Sequence, residues 1–178
     1  MPVSLDARFA AASEELSARL SIRQSIAIGF TAAAIPLIAV LVAPGAVSSV
    51  STSLRLYGSL ALSALALAFS LWYLHQDLSI GLLSKFLKHC ERADEGHALP
   101  GWHSTGDWMR QALSLRKLSD YAFSTVLLVT AVPSVVIALQ GHLSRWDLAL
   151  TSIGVVLPLL ASALVIRSGN LRRQLQEE

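Results

Sequence analysis

The stretch SIAIGFTAAAIPLIAVLVAPGAV, Ser25 to Val47, carries no charged side chain. At a rise of about 1.5 Å per residue, a run of about 20 residues matches a hydrocarbon core roughly 30 Å thick. Three further uncharged runs have a similar length: Leu56–Leu74, Tyr121–Gly141 and Leu148–Ile166. Together they make up nearly half the chain. The sequence therefore predicts an all-α, polytopic integral membrane protein with four transmembrane helices arranged as two hairpins.

Composition argues the same way. Charged residues make up 15% of the 178 positions, where a soluble domain carries about a quarter. Mean hydropathy is +0.55. A soluble helical core would alternate apolar and polar faces, and these runs are apolar all round. The formal charge of +2 gives no reason to expect nucleic acid as a partner. A single cysteine, Cys90, excludes an internal disulfide or a zinc–thiolate cluster. The first 22 residues mix Asp6, Glu14 and Glu15 with Arg8 and Arg19, which does not read as a secretory signal.

Lys and Arg fall mainly on one side of the runs. Arg8, Arg19 and Arg23 precede the first. Lys85, Lys88, Arg92, Arg110, Arg116 and Lys117 lie between the second and third, and Arg167, Arg172 and Arg173 follow the fourth. Only Arg55 and Arg145 fall on the other side. The positive-inside rule then places both termini and the central loop in the cytoplasm. An even number of spans requires the termini to share a side. Tyr57, Trp72, Tyr73, Tyr121 and Trp146 sit near the ends of the runs, where aromatic rings favour headgroup depth.

The expected organisation is a cytoplasmic amphipathic helix over 1–22 with Ser4 as its cap, a first transmembrane hairpin over 23–76, a cytoplasmic helical loop over 77–120, a second hairpin over 121–167, and a tail over 168–178. The cytoplasmic amphipathic helices either lie at the headgroup boundary or pack together beneath the spans. The halves are weakly alike: Leu20-Ser21-Ile22-Arg23 resembles Leu113-Ser114-Leu115-Arg116, and Ala34-Ile35-Pro36 echoes Ala131-Val132-Pro133.

Small residues recur along each span at steps of three and four, which keeps them on one helical face. The helix-packing or path-lining candidates are Gly29, Ala32 and Pro36 in the first span and Ser59, Ser63 and Ser70 in the second. Pro133 and Ser134 in the third and Gly154 and Pro158 in the fourth complete the set. In lipid, small faces let helices approach closely and hydroxyls bond across the contact. The three prolines each remove a backbone hydrogen bond and can kink a helix.

The middle of every span is free of ionisable residues, which argues against ion-coupled transport. His75 and Asp77, at the end of the second run, read as interfacial polar residues. His89, Cys90, Glu91, Asp94, Glu95, His97, His103 and Asp107 include competent metal ligands, but their spacing matches no established ligand pattern. No Gly-x-Ser-x-Gly elbow, phosphate loop or paired-histidine zinc helix is present. The expectation is thus no catalytic residues, no cofactor and no metal. The function expected is that of a small non-catalytic accessory or structural subunit of a membrane assembly. Its partners would be membrane lipids and other membrane subunits or further copies of itself. The Ala/Leu-rich, Lys-poor composition suggests a bacterial inner membrane. The alternative is an oligomeric uncoupled channel or half-transporter.

Overall fold

The computed structural model describes residues 5–43, 51–93, 106–140 and 143–177. They form five helices: α1 (Leu5–Val42), α2 (Thr52–Ala93), α3 (Gly106–Val129), α4 (Val132–Leu139) and α5 (Arg145–Glu177). Four helical stretches are long and apolar enough to cross a membrane, the third being built from α3 and α4 together. The chain is a multi-pass membrane protein with an all-α bundle.

The helices run well beyond their apolar stretches. At about 1.5 Å per residue, the 38 residues of α1 extend about 57 Å, and α2, with 42 residues, about 63 Å. Leu5–Leu20 is thus continuous with the first span. Ala12 and Leu16 of that segment pack on Ile80 and Leu87 of α2, with Phe9, Leu20 and Leu83 around them. Ala12 and Leu16 are one turn apart and Ile80 and Leu87 two turns, so each pair lies on one helix face. Ser4 lies outside the described residues.

Local signals start two of the helices. Ser51 Oγ accepts from Leu54 N at 3.3 Å, an N-cap for α2. At α5, Ser144 and Asp147 form a reciprocal box: Asp147 N donates to Ser144 Oγ at 3.2 Å, and Ser144 N donates to Asp147 Oδ2 at 3.1 Å.

Pro36 and Pro158 sit inside unbroken helices, but the helix is interrupted just before Pro133. Thr130 N bonds Leu127 O at 3.2 Å and Ala131 N bonds Leu128 O at 3.0 Å, a tight three-residue step. Thr130 Oγ1 also donates to Leu127 O at 2.6 Å. Pro133 has no N–H to offer Val129, so α4 starts afresh, with Val135 N on Ala131 O at 3.1 Å.

α2 packs most extensively on α5 and next on α1, α3 packs mainly on α5, and α4 divides its contacts among α5, α2 and α1. The core joins Ile26, Phe30 and Ala34 of α1 with Leu62 and Ala66 of α2, Phe123 and Leu127 of α3, and Ala161 and Val165 of α5. Phe30 meets Phe69 at 5.2 Å and Phe123 at 6.1 Å, centroid to centroid. Large apolar side chains such as Ile28, Ile35, Leu65, Val135, Ile153 and Leu160 face outward. In water such a belt would be a liability, whereas in a bilayer it is the lipid-facing surface. Only 17% of the most apolar window of α1 is buried, against 33–39% for the other spans. Over that window α1 is the least buried of the four spans.

Candidate functional site: a buried charge tetrad

At the bundle end where the Lys- and Arg-rich segments lie, four charged residues converge, one from each span. Arg23 comes from α1, Asp77 from α2, Asp120 from α3 and Arg172 from α5. All four are buried. Arg172 Nη1 donates to Asp77 Oδ1 at 2.5 Å and Nη2 to Asp120 Oδ2 at 3.4 Å. Arg23 Nη2 donates to Asp120 Oδ1, and Arg23 Nε lies 2.8 Å from Asp77 Oδ1. That last contact is an ion pair without a directed hydrogen bond, because Nε–H of Arg23, like that of Arg172, has no aligned acceptor. Each carboxylate therefore touches both guanidinium groups, and the group is formally neutral.

Uncharged neighbours complete it. Tyr73 OH donates to Asp120 Oδ1 at 2.7 Å. Ser168 Oγ lies 2.9 Å from Asp77 Oδ2 and 2.7 Å from Val165 O, so its one proton serves either acceptor. The Arg23 guanidinium sits over the Tyr73 ring at 4.6 Å, a geometry the ring's negative face favours. Tyr73 and Asp77 are four residues apart on α2, as are Ser168 and Arg172 on α5, so each pair shares a helix face. Gly169 gives the cluster room: a Cβ there would lie 3.1 Å from Asp120 Oδ2. One layer further out, Arg19 donates to Gln76 Oε1 at 3.2 Å and to Glu15 Oε1 at 2.6 Å.

Burying charge is costly unless it is paired and hydrogen-bonded. A neutral two-plus-two group meets that condition and ties four helices to one point. Asp77 is thus a buried ion-pair partner, not the interfacial polar residue its position suggests. The sequence signal was present but faint: two carboxylates beside apolar runs on the side otherwise rich in Lys and Arg. Asp120 and Arg172 are separated by 52 residues, close to the separation of Arg23 from Asp77. The two halves therefore carry their charges at similar places and in exchanged order.

The small residues divide by helix. Ser59, Ser63, Ser70, Pro133, Ser134, Gly154 and Pro158 are buried, while Gly29, Ala32 and Pro36 face outward. Ser63 Oγ lies 2.8 Å from Gly154 O and 2.9 Å from Ser59 O. Ser134 Oγ reaches Ser59 Oγ at 3.3 Å, and Ser124 Oγ meets Ser162 Oγ at 2.5 Å. A Cβ on Gly154 would collide with Ser134 Oγ, so a side chain there would push α5 from α4. At Gly29 a Cβ would meet nothing within 4 Å.

At the opposite end Arg55, one of the two cations that the sequence puts on that side, is also buried. Its Nε and Nη2 donate to Leu41 O at 3.2 and 3.1 Å, and Nη1 donates to Gln140 Oε1 at 3.0 Å.

Among the described residues, no group of three or more His, Cys, Asp or Glu side chains is placed to hold a metal ion. Asp94, Glu95, His97 and His103 lie outside the described residues, and Cys90 is buried in α2. An apolar groove of about 450 Å³ opens between α1 and α3, lined by Ala27, Ile28, Thr31 and Ala32 opposite Ser119, Ala122, Phe123 and Val126. The fold and the tetrad define a membrane-spanning helical bundle in which four buried charges, one from each span, bond to one another. Comparison with protein-family models, curated proteins and solved structures gives no match.

Proposed function

We propose that this chain is a non-catalytic four-span subunit of a larger assembly in a bacterial inner membrane, with both termini and the 77–120 segment in the cytoplasm. The observation that carries the reading is the contrast between the inside of the bundle and the outward face of α1. Inside, charges and hydroxyls bond to one another across helices. Outside, Gly29, Ala32 and Pro36 form a small-residue face on the least buried span. In lipid, that kind of face favours close approach of another helix. A membrane subunit docked there would bury it without disturbing the tetrad.

Native mass spectrometry of the protein extracted from its own membrane, with surrounding lipid retained, tests the proposal. A reproducible foreign subunit, lost in Ala32→Leu, supports it. A protein found only alone or only with copies of itself contradicts it.

A second reading, an oligomeric uncoupled channel or half-transporter, draws on the buried file of Ser59, Ser63, Ser70, Ser124 and Ser162 and on the broken third span. Broken spans occur where transporters bind their cargo. Under this reading Ser63→Leu blocks solute flux in vesicles while the assembled state survives.

A further inference from the structure

We infer that α4 is a hinged segment held shut by Arg55, a conformational latch at the bundle end opposite the tetrad. The inference concerns serines and the span break that the second reading invokes, but its readout, the accessibility of position 59, requires neither reading. The two parts of the third span are anchored at opposite ends by different cations. α3 is fixed by Asp120, which bonds Arg23 and Arg172. α4 is fixed at its far end by Gln140, whose Oε1 accepts from Arg55 Nη1. Between them lies the step at Thr130 and Ala131. There the regular helical bonding lapses, and Pro133 has no N–H to restore it. Breaks of this kind are where helices bend.

The polar bond from α4 to α2 is weak. Ser134 Oγ lies 3.3 Å from Ser59 Oγ, beyond the usual range for hydroxyl pairs. Arg55 is the stronger hold. Its guanidinium takes the Leu41 carbonyl with two N–H groups and the Gln140 amide with a third. Leu41 O lies at the C-terminal end of α1, where the helix dipole favours a cation. One side chain thereby joins the end of α1, the first turn of α2 and the end of α4. Its acceptors are neutral, and among the described residues no carboxylate pairs with it. Releasing it therefore costs less than breaking the tetrad, where four full charges would part. When α4 swings out about the Thr130–Ala131 step, the hydroxyls of Ser59 and Ser63 open to that end. The tetrad keeps the other end closed.

The experiment reads the accessibility of Ser59→Cys in a Cys90→Ala background, with the full chain in lipid nanodiscs so that both faces meet the reagent. A water-soluble maleimide is the probe, and Ser124→Cys, near the tetrad, is the matched control. Arg55→Met and Gln140→Leu each remove the charge-assisted hydrogen bond that holds α4, and each should speed labelling at Ser59→Cys by about tenfold. The rate at Ser124→Cys should not change. Pro133→Ala, which restores a backbone donor at the step, should slow the accelerated labelling. Unchanged labelling at Ser59→Cys in both latch variants would overturn the inference, and so would equal acceleration at both positions. If Arg55→Met does not fold, Gln140→Leu leaves the two bonds to Leu41 in place and carries the test alone. A Pro133→Ala variant that labels as fast as its parent removes the hinge.

Discussion

Arg172 Nη1 lies 2.5 Å from Asp77 Oδ1 across the α2–α5 interface, and neither side chain is more than 1% exposed. These two helices make the most extensive contact in the bundle. Arg172 and Asp77 cross its centre, and Arg23 and Asp120 bring in the two flanking helices. Removing one member leaves a buried charge without its partner, which is where the large effects should lie.

Asp77→Asn should destabilise the protein by about 3–5 kcal/mol. Asp77 is contacted by Arg23, Arg172 and Ser168, with its side chain fully buried. Asp120→Asn should cost less, because Asp120 has one long contact to Arg172, at 3.4 Å, and keeps Tyr73 as a donor. Thermal unfolding in one detergent ranks the two variants. The reverse order would show that the tetrad is not centred on Asp77.

Replacing the group as a whole should behave differently. A variant combining Arg23→Met, Arg172→Met, Asp77→Leu, Asp120→Leu and Tyr73→Phe removes all four charges of the tetrad together with the phenol bonded to one of them. Apolar replacement of buried ion groups is often neutral or stabilising by about 1–4 kcal/mol. The combined variant should therefore melt above Asp77→Asn. A lower melting temperature would mean that the ion pairs themselves supply net stability.

Gly154→Ala should cost about 1–3 kcal/mol through overpacking, because the new methyl meets Ser134 Oγ. Ser134→Ala should recover part of the loss. It cannot recover all, since Ser134 Cβ would still stand 3.2 Å from the added carbon. Unfolding of the double variant against the two singles measures that coupling.

Cys90 is buried at the C-terminal part of α2. A buried thiol out of reach of reagent is inert, so it should resist a soluble thiol reagent in the folded protein and react on denaturation. Rapid labelling under native conditions would mean that the 77–93 part of α2 opens locally.

The four apolar runs were legible because span length and absence of charge are one-dimensional properties. So was the file at Ser59, Ser63 and Ser70, whose spacing puts it on one face. Direction was not legible. The small stripe of α2 faces in while Gly29, Ala32 and Pro36 face out, because Ile26, Phe30 and Ala34 fill the core from α1. Periodicity identifies a face without saying what it meets. The tetrad was hidden for a related reason. Its members are far apart along the chain, and only the packing of four helix ends brings them together. The three span prolines looked alike in sequence, yet the interruption falls at Pro133, where Thr130 turns its hydroxyl onto Leu127 O.

The proposal that the outward face of α1 docks another membrane subunit is tested most directly by site-specific photo-crosslinking in the native membrane. A photoreactive residue at Ala32 would be compared with one at Ile153, an outward-facing position on α5. The account predicts one defined protein adduct of a different chain from position 32 and only lipid adducts from position 153. Lipid adducts alone at both positions, or a product containing only a second copy of this chain, would contradict it.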